Sequence, residues 1–124
     1  MNRSAHFASR IRPSVQAELD AAIAREARGE RASAFTHLER AHVLGQHSTV
    51  EHVRVHWAMF RWALRNDVMG EAFAQALRLA AAGLKTWLGW VPTGNTGGSN
   101  VSGFRPMPVS ADLQRLIDAA RLVH

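Results

Sequence analysis

Residues 35–57 read FTHLERAHVLGQHSTVEHVRVHW, and this stretch contains the end of one predicted helix, a turn and the start of the next. Apolar side chains recur before Gly45 at three- and four-residue intervals, which is typical of one face of an amphipathic helix. Gly45 ends that helix, because glycine is the residue most often found just beyond a helix C-terminus. Ser48 and Glu51 then form a capping box, which predicts that a new helix begins at once. The stretch therefore predicts an antiparallel helical hairpin with a tight turn.

Similar patterns on both sides of this hairpin predict an all-α fold with about five helices, arranged as antiparallel hairpins or a bundle. The helices are expected over residues 13–28, over about 14 residues ending at Gly45, over residues 48–65, from Val68 toward Trp87, and after Ser110. In the third helix we expect the core-facing side to consist of Val53, Trp57, Phe60 and Leu64. Residues 91–109 are predicted to be an ordered, glycine-rich crossover loop, and residues 1–11 a flexible end.

The composition limits the classes of protein to which the chain can belong. With 124 residues, of which 47% are hydrophobic and 20% charged, it has the size and balance of a single globular domain. It contains no cysteine, so disulfides, thiolate metal ligands and thiol nucleophiles are excluded. Any metal must therefore be held by imidazole, carboxylate, amide or thioether groups.

Charge and hydropathy argue against a nucleic-acid binder and against a membrane protein. The formal net charge is +5, but the arginines are spread along the whole chain, whereas nucleic-acid binders usually concentrate them on one face. The longest apolar stretch, residues 77–90, contains Arg78 and Lys85 and predicts a buried helix. No secretory signal is visible, so we expect a cytoplasmic protein.

Glu39 and His42 lie near the end of the second predicted helix, and His52 and His56 near the start of the third. Residues three or four apart share one face of a helix, so each pair presents its side chains together. Counting outward from the turn places all four at about the same height in the hairpin. Three imidazoles and one carboxylate suit zinc in a tetrahedral site, and they also suit iron, nickel or copper. The sequence therefore predicts a metal site made by these four residues.

Other side chains close to the predicted site are candidates for supplementary roles. His37, His47 and Glu51 are available as extra ligands or as hydrogen-bond partners of the ligands, and Met59 lies on the stripe of His52 and His56. Ferritin-like dimetal proteins use two Glu-x-x-His pairs, of which this chain has one. A dimetal-carboxylate enzyme would need Glu51 or another acid to complete the site. No serine is paired with a base in a way that indicates a hydrolase.

Two segments of the chain resemble those of a small bacterial family of about this length that is known as a domain of unknown function. The segments are residues 37–46 (HLERAHVLGQ) and residues 94–108 (GNTGGSNVSGFRPMP). The resemblance implies an all-helical protein, and an association of similar proteins with metal-stress gene neighbourhoods favours the metal hypothesis. It assigns no activity and no site residue.

The sequence thus supports two functional hypotheses from different classes. The first is a helical metal-binding protein with a role in metal handling or sensing, which we favour over a role as an enzyme. Imidazole binds metal in its neutral form. The affinity of the protein for metal is therefore expected to decrease when the pH is lowered below about 6.5. The alternative is a protein-interaction module with structural histidines and no metal, in which Trp90 and Phe104 would contact a partner. Both hypotheses are compatible with a homo-oligomer.

Overall fold

A computed structural model of the chain describes residues 3–88 and 108–122, which form five α-helices and no strand. The helices are α1 (Arg3–Ala27), α2 (Arg31–Gly45), α3 (Thr49–Arg65), α4 (Met69–Leu88) and α5 (Ala111–Arg121). The predicted all-α class is therefore confirmed. Most of the predicted crossover loop, residues 91–107, lies outside the described residues.

The first helix begins ten residues earlier than the sequence pattern indicates. Proline usually marks a helix start, because it lacks an N–H group and its ring hinders the preceding turn. Here Pro13 lies inside α1. Phe7, Ile11 and Val15 are all buried at four-residue spacing around the proline. The burial of this stripe offsets the lost backbone hydrogen bond, so the expected flexible end is helical from Arg3 onward.

The helices form two hairpins. α1 packs along α2, and α3 packs along α4, while α2 also contacts α3 and so joins the two hairpins. The α1–α2 turn uses Gly29 at a φ of 78°, a left-handed conformation that glycine adopts without steric cost. α5 contacts both α1 and α2. Its docking includes an ion pair of 2.5 Å from Arg40 on α2 to Asp112 and a hydrogen bond of 2.6 Å from Arg10 on α1 to the Ala120 carbonyl.

The face of α3 that is buried differs from the one the sequence predicts. Three of the residues expected in the core are exposed, with Val53, Trp57 and Leu64 at 37%, 51% and 48% of their maximal area. The opposite face is buried instead, and it carries His52, Val55, His56, Met59, Trp62 and Ala63. Hydropathy assigns histidine to the surface, whereas here His52 and His56 are buried together with the apolar residues of this face.

Across residues 3–88 and 108–122, no helix combines the length and apolar character that a membrane crossing demands.

Candidate metal centre

Three histidines meet between the C-terminal end of α2 and the N-terminal half of α3. His42 lies on the last turn of α2, and His52 and His56 lie four residues apart on one face of α3. All three are buried, at 4%, 3% and 2% exposure. The short turn between the helices places the end of α2 beside the start of α3, so the local sequence brings His42 opposite the α3 pair.

Gly45 allows the two helices to approach closely at this turn. A Cβ atom on Gly45 would lie 2.9 Å from the Cβ of Glu51, a separation shorter than real side chains show. Ser48 caps α3, because its hydroxyl accepts a hydrogen bond of 3.4 Å from the Glu51 backbone N–H. The capping box is only half formed, since the Glu51 carboxylate pairs with Arg54 at 2.5 Å and lies 3.9 Å from Arg12. These two arginines hold Glu51 in a buried position that is 1% exposed.

The three imidazoles converge through the same ring atom. The Nε2 of His42 lies 3.1 Å from the Nε2 of His52 and 3.1 Å from that of His56, and the last two atoms are 3.0 Å apart. The three nitrogens therefore form a nearly equilateral triangle. A proton can bridge only two ring nitrogens at a time, whereas a cation attracts the lone pairs of all three. The triangle is thus a donor set that is able to hold a metal ion.

The size of the triangle agrees with known metal–imidazole distances. An ion placed about 2.0–2.1 Å from all three atoms would lie about 1 Å out of their plane, with N–metal–N angles of about 97°. These angles fall between the octahedral and tetrahedral values. The triad would therefore occupy one face of the ion and leave the opposite side for one or more further ligands.

A hydrogen-bonded chain from α4 fixes the orientation of His56. Gln75 lies 2.5 Å from the His56 Nδ1 through its Oε1, and its Nε2 donates to the Glu71 carboxylate at 3.2 Å. Because a carboxylate accepts hydrogen bonds, the Gln75 amide must direct its NH₂ to Glu71 and its oxygen to His56. His56 then carries its proton on Nδ1 and presents the Nε2 lone pair to the triangle. Such outer partners are characteristic of metal-binding histidines.

The structure brings together three of the four predicted ligands. His42, His52 and His56 form the one group of potential ligands in the described residues whose donor atoms all lie within 4.8 Å of one another. Glu39, one turn before His42 on α2, is partly buried and is not in that group. Its place as a fourth ligand stays a prediction.

The supplementary candidates have other contacts or surroundings. His37 lies on the α1 side of α2, where its Nδ1 is 2.6 Å from the Glu18 carboxylate. Burial, together with the positive charge of Arg121, lowers the pKa of His47. Glu51 is engaged with Arg54, and Met59 is fully buried in the core.

Sequence reasoning missed Glu71 and Gln75. Both are buried, at 6% and 0% exposure, although they are polar residues on a largely apolar helix. Their four-residue spacing was the available signal, since it places both on one face. That this face of α4 meets the histidine face of α3 follows only from the packing of the two helices.

The comparisons with known proteins agree with the resemblance noted from the two segments. No curated protein and no solved structure matches the chain. A family model does match residues 9–117, a range that includes all three histidines, Gln75 and Glu71. The chain therefore belongs to the family described as "Protein of unknown function (DUF3703)".

Proposed function

We propose that this protein binds one transition-metal ion through the Nε2 atoms of His42, His52 and His56 and serves in metal handling or sensing. The observation that carries the proposal is the buried triangle of these atoms, with sides of 3.0–3.1 Å. The orientation of His56 by Gln75 supports it, because a fixed tautomer keeps a lone pair directed at the ion.

Zinc is the ion that we favour, since three imidazoles with a further oxygen ligand are a common zinc set. Iron, nickel and copper are accepted by the same donors. Glu39 is our candidate for the fourth ligand, since it lies one helical turn from His42. A side chain that contributes one oxygen would complete a tetrahedron on the open side of the triangle. A bound metal would act there as a Lewis acid, but we favour storage or sensing over turnover.

The test is elemental analysis of the purified, untagged protein by mass spectrometry, before and after incubation with zinc, iron, nickel and copper salts. We expect about one equivalent of a transition metal per chain. A variant with His52→Ala and His56→Ala should lose it. The matched control is His6→Ala with His37→Ala, which removes the same number of imidazoles outside the triangle and should retain the metal.

Two results would decide against the proposal. Absence of stoichiometric metal after incubation would favour the interaction module with structural histidines. Equal metal loss in both double variants would show non-specific binding to surface imidazoles. Circular dichroism of each variant distinguishes loss of a ligand from loss of the fold, and His42→Gln provides a less disruptive change of a single ligand.

A further inference from the structure

A groove runs between α1 and α3 on a face of the molecule that the metal site does not use. Its volume is about 620 Å³, which is within the range of small-molecule sites. Buried Ala22 and Leu38 lie among its lining residues, together with Ile23 on α1 and Trp57 on α3. Ile23 and Trp57 remain 66% and 51% exposed, so the groove offers an accessible apolar surface.

Two side-chain bridges connect the helices at the ends of this groove. At one end Arg54 on α3 donates to Gln16 on α1. At the other, Arg65 on α3 makes a two-point contact with Glu26 on α1, at 2.7 and 3.0 Å. Hydrogen bonding to Arg65 lowers the pKa of Glu26, so this bridge is ionic at neutral pH. The bridges hold the walls at a fixed separation.

Arg61 lies between Arg54 and Arg65 along α3, and so between the residues that form the two bridges. Arg61 lines the groove and is exposed. Unlike Arg54 and Arg65, it forms no ion pair with any residue in the described part of the chain. Three arginines and a single glutamate line the groove, so it carries a net positive charge. Its chemistry is therefore that of an apolar channel with one guanidinium available for an anion.

The dimensions favour a slender ligand. The lining residues extend over residues 16–27 of α1 and 54–65 of α3, or about 17 Å at the helical rise. An extended hydrocarbon chain is thin and long enough to lie along a groove of this length and to contact both walls. A second copy of this chain is disfavoured, because a two-fold contact would bring together two copies of the same positively charged surface.

We infer that this groove binds a small amphipathic anion, with an extended hydrocarbon chain along the apolar walls and a carboxylate or similar head group on Arg61. The chain would cover Ile23 and Trp57, and the head group would form charge-assisted hydrogen bonds with the guanidinium. The ligand class is thus that of a free long-chain carboxylate. This site is separate from the histidine triangle, and its existence does not depend on metal binding.

The probe is dodecanoate, which combines a hydrocarbon chain with a carboxylate head group, titrated into the full chain by calorimetry below its micellar concentration. We expect one saturable site per chain. Arg61→Glu should weaken binding by about tenfold or more, because it replaces an attraction by a repulsion. Ile23→Asp should weaken it by a similar factor. Both positions are exposed, so the fold should be retained, and circular dichroism checks this.

The matched controls place the same changes outside the groove, on α5. Arg115→Glu and Leu116→Asp alter exposed residues and should leave dodecanoate binding unchanged. Dodecyltrimethylammonium, with the same chain and the opposite charge, should show no saturable binding. Absence of a saturable dodecanoate site, equal weakening by Arg61→Glu and Arg115→Glu, or equal affinity for the cationic probe would each overturn the inference. Saturable binding of an acidic amphipathic peptide without binding of dodecanoate would instead identify a protein partner.

Discussion

At the scale of single residues, the candidate metal centre depends on ring orientation as much as on the presence of three histidines. Each imidazole has two nitrogens, and Nε2 of each ring takes part in the triangle. For His56 the other nitrogen is bound to the Gln75 oxygen, which is positioned in turn by Glu71. A residue that never contacts the ion can therefore change the affinity for it.

Replacing Gln75 by leucine tests this positioning role. Gln75→Leu removes the acceptor of the His56 Nδ1–H, so the ring can rotate or change tautomer. We expect zinc affinity to fall by about 10- to 100-fold, the usual effect of losing such a partner. The measurement is a competition titration against a chromophoric chelator. Gln114→Leu is the control, because the Gln114 side chain on α5 donates to Asp118, at 2.8 Å, and belongs to a different helix from the histidines and Gln75. Unchanged affinity in Gln75→Leu would show that the hydrogen bond does not position the ring.

Glu39→Gln tests the predicted fourth ligand. An amide oxygen binds zinc more weakly than a carboxylate, so zinc affinity should fall while the three histidines still bind one equivalent. The same chelator competition measures it, with the exposed Glu30 changed to Gln as the control. Equal affinities of the two variants would indicate that a water molecule or another residue takes the fourth position.

At the scale of elements, the turn between α2 and α3 sets the height at which His42 meets His52 and His56. Gly45 permits this close approach, since a Cβ there would overlap the Cβ of Glu51. Gly45→Ala should therefore separate the helix ends and lower the free energy of unfolding by about 1–3 kcal/mol. Urea denaturation measures the change, and zinc affinity should decrease with it.

Gly70 offers a matched control for this substitution. It lies in the first turn of α4, and a Cβ there would meet nothing within 4 Å. Gly70→Ala should leave stability unchanged or raise it by up to about 1 kcal/mol, because alanine loses less backbone entropy in a helix. If both alanine variants showed the same stability, the close approach at Gly45 would not limit the fold.

The docking of α5 makes a prediction about pH. A hydrogen bond from Arg40, followed by one from Ser110, lowers the pKa of Asp112 from 3.8 to about 2. A carboxylate whose pKa is lower in the folded than in the unfolded protein stabilises the fold fully at pH values above its unfolded-state pKa. This stabilisation is lost as the pH falls through the folded-state pKa. Asp112→Asn should therefore be less stable than the wild type at about pH 6, and the difference should narrow between about pH 4 and 2.

The difference in stability between Asp112→Asn and the wild type is measured by thermal unfolding, followed by circular dichroism, across this pH range. Asp118→Asn is the control, because it makes the same change on the same helix at a residue whose carboxylate accepts a hydrogen bond from the neutral Gln114 side chain. The difference in stability between Asp118→Asn and the wild type should be small. If the difference in stability between Asp112→Asn and the wild type were the same at every pH, the ion pair with Arg40 would not stabilise the folded state.

At the scale of the whole molecule, metal binding should stabilise the fold, because the site joins three helices. The histidines come from α2 and α3, and the Gln75–Glu71 pair comes from α4. Zinc at about 100 times its dissociation constant should add roughly 2.7 kcal/mol to the free energy of unfolding. For a domain of this size the melting temperature should rise by several degrees, measurable by differential scanning fluorimetry. The melting temperature of the His52→Ala/His56→Ala variant should not rise on addition of zinc. In the wild type, a chelator should reverse the rise.

The local sequence accounts for much of this architecture. The end of α2 at Gly45 and the cap of α3 at Ser48 depend on residues within one turn of each boundary, and the structure confirms both. The meeting of His42 with His52 and His56 was predictable for the same reason. It needs only helical spacing and a short turn, which are properties of consecutive residues.

Other features depended on contacts between residues far apart in the chain. Pro13 indicated a helix start, but the burial of Phe7 and Ile11 extends α1 to Arg3. Hydropathy placed the wrong face of α3 in the core, because it scores each residue separately and cannot register that His52 and His56 meet His42 between two helices. The sequence by itself thus determined five helices and a histidine hairpin. Only the tertiary structure decided that α4 supplies Gln75 and Glu71 and that α1 and α3 enclose a groove, because both require knowing which helix faces pack together.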